Sequence, residues 1–89
     1  MSSNRVAIVT GAAGDLGKVI ALRLADDGLD VVVNDLSSRS TEVDAIVRRI
    51  VQKGRKSIAV IGDISNEEDV KAMVERTARE LGSLDVVCD

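Results

Sequence analysis

The chain has 89 residues, of which 45% are hydrophobic and 30% charged, with a net charge of -3; this bounds it to one small domain around a single core and excludes intrinsic disorder. The acidic balance and the complete lack of aromatic residues leave neither a basic patch for nucleic acid nor a stacking platform for single strands. No apolar run approaches a bilayer span, and "MSSNR" has no signal-peptide core, so the expected compartment is the cytosol and no membrane partner is expected.

Tyrosine, histidine, phenylalanine, tryptophan and proline are all absent. Enzymes draw heavily on histidine and tyrosine for proton transfer, so the composition counts against a complete active site. The lone Cys88 has no partner for an internal disulfide and sits in an apolar run, where a small buried hydrophobe is expected. Without histidine there is no cluster of metal-ligand spacing, and no metal is expected.

In chain order, "VAIVT" (6–10), "DVVVN" (30–34), "SIAVI" (57–61) and "LDVVC" (84–88) are short runs rich in β-branched residues, each predicting a buried strand. The segments between them carry helical periodicity. The first predicted helix buries Leu16, Val19, Ile20 and Leu24 and stops at Gly28. The second opens at Thr41, shows Val43, Ile46, Val47, Ile50 and Val51 on one face, and ends at Gly54. The third opens on a capping box of Ser65 and Glu68, buries Val70, Met73, Val74, Thr77, Ala78 and Leu81, and stops at Gly82. Glu67 with Lys71 and Glu75 with Arg79 have the spacing of ion pairs on its solvated side.

Alternating strands and helices in the order βαβαβαβ predict right-handed crossovers and a parallel sheet. The expected fold is α/β, a partial Rossmann fold: the first half of a doubly wound parallel sheet, with strand order 3-2-1-4 and a crevice where the order reverses. A phospho-receiver domain is also doubly wound, but it would place an acid pair after the first strand, where this chain has Thr10 and Gly11.

The turn "TGAAGDLGK" after the first strand admits three explanations. A P-loop needs four residues between its glycines and a hydroxyl after its lysine; here five residues separate Gly11 from Gly17, and Val19 follows Lys18. A plain strand-to-helix turn would use Gly17 only for close packing. A dinucleotide site would hold a pyrophosphate on loop amides at the positive end of the helix, and requires an acid about 20 residues on for the ribose hydroxyls. Asp35 stands 18 residues after Gly17, at the end of the second strand.

With "VAIVTGAAGDLG", the acid in "VVVNDL", "GDIS" after the third strand and "LGSLDVV" before the fourth, the chain resembles the short-chain dehydrogenase/reductase family over its whole length. The resemblance implies a dinucleotide cofactor. Thr10, Gly11, Gly14, Asp15, Leu16 and Gly17 would line the pyrophosphate turn, Asp35 would hold the adenosine ribose, and Asp63 with Ile64 would flank the adenine. An acid at position 35 favours NAD over NADP, because a carboxylate repels a 2'-phosphate, while Arg39 lies near enough to favour the opposite. The glycine spacing is that of the extended branch of the family, whereas "GDIS" and "LGSLDVV" look like the common branch.

Asp15 is expected in neither branch. At about 5 Å from a phosphate charge it would cost about 0.8 kcal/mol at ε near 80 and about 3.3 kcal/mol at ε near 20; alternatively it turns back to cap the helix or meet Lys18. The family's catalytic asparagine, serine and Tyr-x-x-x-Lys pair would lie beyond the fourth strand, so the resemblance carries over no catalytic residue. The expectation is a cofactor-binding portion truncated before its active site, of marginal stability, with the fourth strand an exposed edge open to self-association. The alternative is a non-catalytic nucleotide-binding or protein-interaction module.

Overall fold

The computed structural model describes residues 5–88. Its elements run β1 (Val6–Val9), α1 (Asp15–Asp26), β2 (Asp30–Asp35), a 3-10 turn (Ser37–Arg39), α2 (Ser40–Gln52), β3 (Ser57–Ile61), α3 (Glu67–Leu81) and β4 (Val86–Cys88). The four strands form one sheet in the order β3-β2-β1-β4, every pair parallel. This is the predicted half of a doubly wound sheet. β1 is fully buried and β2 nearly so, as runs of valine and isoleucine covered on both faces should be.

The two faces carry separate cores. On one, α1 and α2 cover Val9, Val31 and Val33 with Ala21, Ala25, Val43, Ile46 and Ile50. On the other, α3 sets Met73 against Val6, Ile8, Val32 and Val60. No described helix is long and apolar enough to cross a membrane.

Several expected details differ. α1 packs through the small residues Ala21 and Ala25, with Ile20 and Leu24 half-buried, while Leu16 and Val19 are 73% and 63% exposed. Alanine lets the helix lie close to the sheet, and its flank carrying Leu16 and Val19 is left uncovered by residues 5–88. On α3, Val74 and Ala78 are exposed.

The cap of α3 is Asn66, whose Oδ1 accepts from the amides of Glu68 and Asp69 at 2.9 and 3.2 Å. Ser65 lies one residue before the cap position, and its amide and hydroxyl both donate to Asp63 Oδ1. α2 starts one residue before Thr41, continuing from the 3-10 turn. The surface ion pair of α3 is Arg76 with Glu80, and neither expected pair forms. β4 is shorter than its apolar run: Asp85 lies before it, where its Oδ2 accepts from the Val6 amide at 2.8 Å and its own amide donates to the Val6 carbonyl at 2.9 Å.

Candidate functional site

The C-terminal ends of β1, β2 and β3 open onto two adjoining clefts that share Gly11. One, about 350 Å³, is lined by Thr10, Gly11, Gly14, Asp15, Leu16 and Gly17 together with Ile20. The other, about 200 Å³, is lined by Gly11, Asp35, Asp63 and Ile64 together with Asn34, Leu36 and Gly62. All nine residues singled out from the sequence therefore meet at one end of the sheet.

The glycines explain how the chain turns there. Gly11 has φ +62°, and the space where its Cβ would stand is empty. Gly17 has no such room: a Cβ would lie 2.4 Å from the Gly11 carbonyl oxygen. The start of α1 is thus pressed against the turn, with the amides of Asp15, Leu16 and Gly17 donating to no described residue. Free amides at a helix start, beside a glycine lacking a side chain, form a cradle suited to an anion.

Asp15 occupies the first position of α1, where an acid favours the helix dipole. Neither suggested internal contact forms: its side chain makes no capping bond, and it pairs with neither Lys18 nor any other described residue. It lines the cleft as an unpartnered exposed carboxylate.

Asp35 is built into the turn. Its Oδ2 accepts from the Ala13 amide at 2.9 Å and its Oδ1 from the Leu36 amide at 2.8 Å. A carboxylate has about four acceptor positions, so two hydrogen bonds leave capacity for hydroxyl donors. Beside it, buried Asn34 donates through Nδ2 to the carbonyls of Val60 and Gly62 at 2.9 and 3.3 Å, while its main-chain carbonyl accepts from the Ala12 amide at 3.0 Å. Asn34 thereby ties the turn and the end of β3 to β2. A polar residue directly after three buried valines was the signal for it in the sequence.

Asp63 is exposed and forms a tight turn. The Ser65 hydroxyl at 2.7 Å, and then the Ser65 amide at 2.9 Å, hold its carboxyl below the ordinary aspartate range against a small opposing effect of burial. Its amide donates to Asp69 Oδ2 at 3.0 Å, anchoring the turn to α3. Ile64 beside it is about half exposed, offering an apolar wall to the smaller cleft.

The residues present would suit a ligand that carries phosphate and hydroxyl groups: the helix-start amides are free to donate, Asp35 has acceptor capacity, and Ile64 and Leu36 form a lipophilic wall. The Asp15 charge is the one feature that opposes it.

Comparison with known proteins bears on the family and the fold. A family model described as short chain dehydrogenase matches residues 5–89. A short-chain dehydrogenase/reductase of Armillaria gallica is 43% identical over 90 aligned positions, covering 100% of this chain and 34% of the relative. A 3-oxoacyl-[acyl-carrier-protein] reductase of Staphylococcus aureus is 38% identical over 87 positions, covering 98% and 35%. Among solved structures, a hydroxysteroid dehydrogenase from Escherichia coli superposes with a TM-score of 0.86 at 32% identity, covering 96% of this chain and 35% of that one. A metagenomic short-chain oxidoreductase in complex with NADP gives 0.84 at 29% identity, covering 96% and 38%. The chain spans about a third of the length of these relatives.

Proposed function

This chain belongs to the short-chain dehydrogenase family, and on that premise we propose that it is the nicotinamide-dinucleotide-binding portion of an oxidoreductase, with NAD preferred over NADP. The observation that carries this reading is the meeting of two independent features across Gly11: the free amides at the start of α1 and the Asp35 carboxylate at the end of β2. In it, Gly11, Gly14, Leu16 and Gly17 present backbone to the pyrophosphate beside Thr10, and Asp35 accepts from the adenosine ribose. Asp63 and Ile64 flank the adenine, and Asp15 weakens the pyrophosphate contact by its charge.

When bound, the dinucleotide supplies a nicotinamide ring able to exchange a hydride with a carbonyl or alcohol carbon. We assign none of residues 1–89 to the accompanying proton transfer. The family's acid/base group is a tyrosine, and this sequence contains none. The domain is accordingly read as residues 1–89, a dinucleotide-binding portion to which no group acting on substrate is assigned.

Calorimetric titration of the 89-residue chain with NADH and NADPH tests this. The expected result is saturable one-to-one binding, tighter for NADH, with no turnover. No binding of either at about 1 mM, where a ligand contributes only about 4 kcal/mol of binding free energy, overturns it.

A second reading, a non-catalytic module that pairs with another chain, is favoured by the outer edge of β4. Among the described strands β4 pairs only with β1, and Val87 on it is 56% exposed and, with Ile8, Met73 and Val74, lines an apolar cleft of about 310 Å³. In this reading the partner is a second copy of the chain.

A further inference from the structure

Both backbone polar groups of Ala13 are held. Its N–H donates to Asp35 Oδ2 at 2.9 Å, and its carbonyl accepts from Arg39 Nη2 at 2.8 Å. The guanidinium is oriented in turn by Glu42, whose Oε2 lies 3.4 Å from Arg39 Nε. Ala13 itself is buried at 8% exposure. Arg39 lines a third cleft of about 300 Å³, with Ala13, Lys18, Glu42 and Arg49; this cleft shares Asp15 with the larger cleft of the candidate site, but Arg39 itself lines neither site cleft.

We infer that Arg39 is a positioning residue of the nucleotide site: through the Ala13 carbonyl it locks the glycine turn onto Asp35, so that the free amides and the ribose-binding acid are held as one unit before a ligand arrives. This rests on the dinucleotide reading above. A turn containing Gly11 and Gly14 has large backbone freedom, and any ordering left until binding is subtracted from affinity. A charge-assisted hydrogen bond from a guanidinium to a buried peptide moves that ordering into the fold. Arg39 then acts on NADH and NADPH alike, which separates this role from that of a direct receptor for a 2'-phosphate.

The test uses the 89-residue chain and the variants Arg39→Ala and Arg39→Lys, with far-UV circular dichroism to confirm that each is folded. The first measurement needs no ligand: amide hydrogen exchange at Ala13. Arg39→Ala is expected to speed exchange at Ala13 by about tenfold or more, the factor set by losing about 1.4 kcal/mol of local stability, and Arg39→Lys to recover part of it. The second measurement is affinity for NADH and for NADPH, expected to fall in Arg39→Ala by a similar factor of about five to ten for both, in line with one lost hydrogen bond of ordinary net strength.

Unchanged Ala13 exchange, no recovery with lysine, or a loss confined to NADPH overturns the positioning role. If the wild-type chain binds and Arg39→Ala binds equally well, that role fails while the dinucleotide reading stands. If the wild-type chain binds neither dinucleotide, both fail.

Discussion

Asp35 at the end of β2 accepts a hydrogen bond from the Ala13 amide, 22 residues earlier in the chain, at 2.9 Å. Through that bond the acid expected to meet a ribose also fixes the turn expected to meet a pyrophosphate. Asp35→Ala leaves the Ala13 amide unsatisfied in a buried setting, at a cost of about 1–3 kcal/mol in denaturant unfolding. The same variant loses hydrogen bonds from ribose to a charged acceptor, so its affinity for NADH falls about tenfold or more, and NADPH affinity falls less. Asp35→Asn keeps an acceptor for the Ala13 amide only by turning its NH2 toward the Leu36 amide, so it regains part of the stability, but not the preference for NADH.

Gly17 and Gly11 are both glycine for different reasons, and alanine substitutions separate them. At Gly17 the new Cβ would lie 2.4 Å from a backbone oxygen. An overpacking cost near the upper end of 1–3 kcal/mol, less about 1 kcal/mol gained in helix propensity, predicts a net loss of about 2 kcal/mol. At Gly11 there is room, but φ is +62°, so Gly11→Ala costs only the left-handed backbone strain of about 1 kcal/mol. Urea midpoints of the two variants check the order; a larger loss at Gly11 contradicts it.

Asp15→Asn should move stability and affinity in opposite directions. Removing an acid from the first turn of α1 costs about 0.3–1 kcal/mol of dipole interaction. Removing its repulsion of a phosphate at about 5 Å contributes about 0.8–3.3 kcal/mol to binding, so dinucleotide affinity rises about fourfold or more. The gain shrinks as salt is raised, because exposed charges are screened. Paired thermal melts and NADH titrations at low and high salt measure both; an affinity unchanged at low salt shows that the carboxylate does not face the phosphate.

The Asp63 carboxyl titrates below the ordinary aspartate range because Ser65 donates to it twice. With the folded pKa depressed, its contribution to stability is present above the unfolded value of about 3.9 and is lost as pH falls through the folded value. Ser65→Ala removes the hydroxyl donor and should move the Asp63 titration back toward the ordinary range. Side-chain carbon shifts followed by NMR from neutral to acid pH read this directly; an Asp63 titration unmoved by Ser65→Ala contradicts the assignment.

The layered fold was legible because its signals are local: four β-branched runs, three periodic segments and a glycine after each helix. Helix faces were less so. Periodicity placed Leu16 and Val19 in the core, but it reports which residues are apolar and not which neighbour covers them. Packing against the sheet went to Ala21 and Ala25 instead. The α3 cap moved by one residue from Ser65 to Asn66, because either side chain can cap a helix and the Asp63 turn, closed by Ser65, sets where the helix begins.

At the site, the nine residues named from motif and resemblance do converge. The link from Asp35 through Ala13 to Arg39 was not visible, because it joins residues 22 and 26 positions apart by backbone groups that no residue type announces.

The outer edge of β4 predicts self-association. Among the described strands β4 pairs only with β1, and its other edge, with exposed Val87, offers both hydrogen-bonding groups and apolar surface to a second copy. Sedimentation velocity should show an average mass that rises with concentration, and Val87→Lys should reduce it. A monomer at every concentration in the unsubstituted chain contradicts this.

The most direct test of the central claim is an NMR titration of the isotope-labelled 89-residue chain with NADH, following every backbone amide. The account predicts shifts concentrated at Gly11, the Asp15 to Gly17 amides, Asp35, Asp63 and Ile64, saturating together with one affinity. No saturable shifts, or shifts confined to the cleft between α1 and α2 around Lys18 and Arg49, would contradict it.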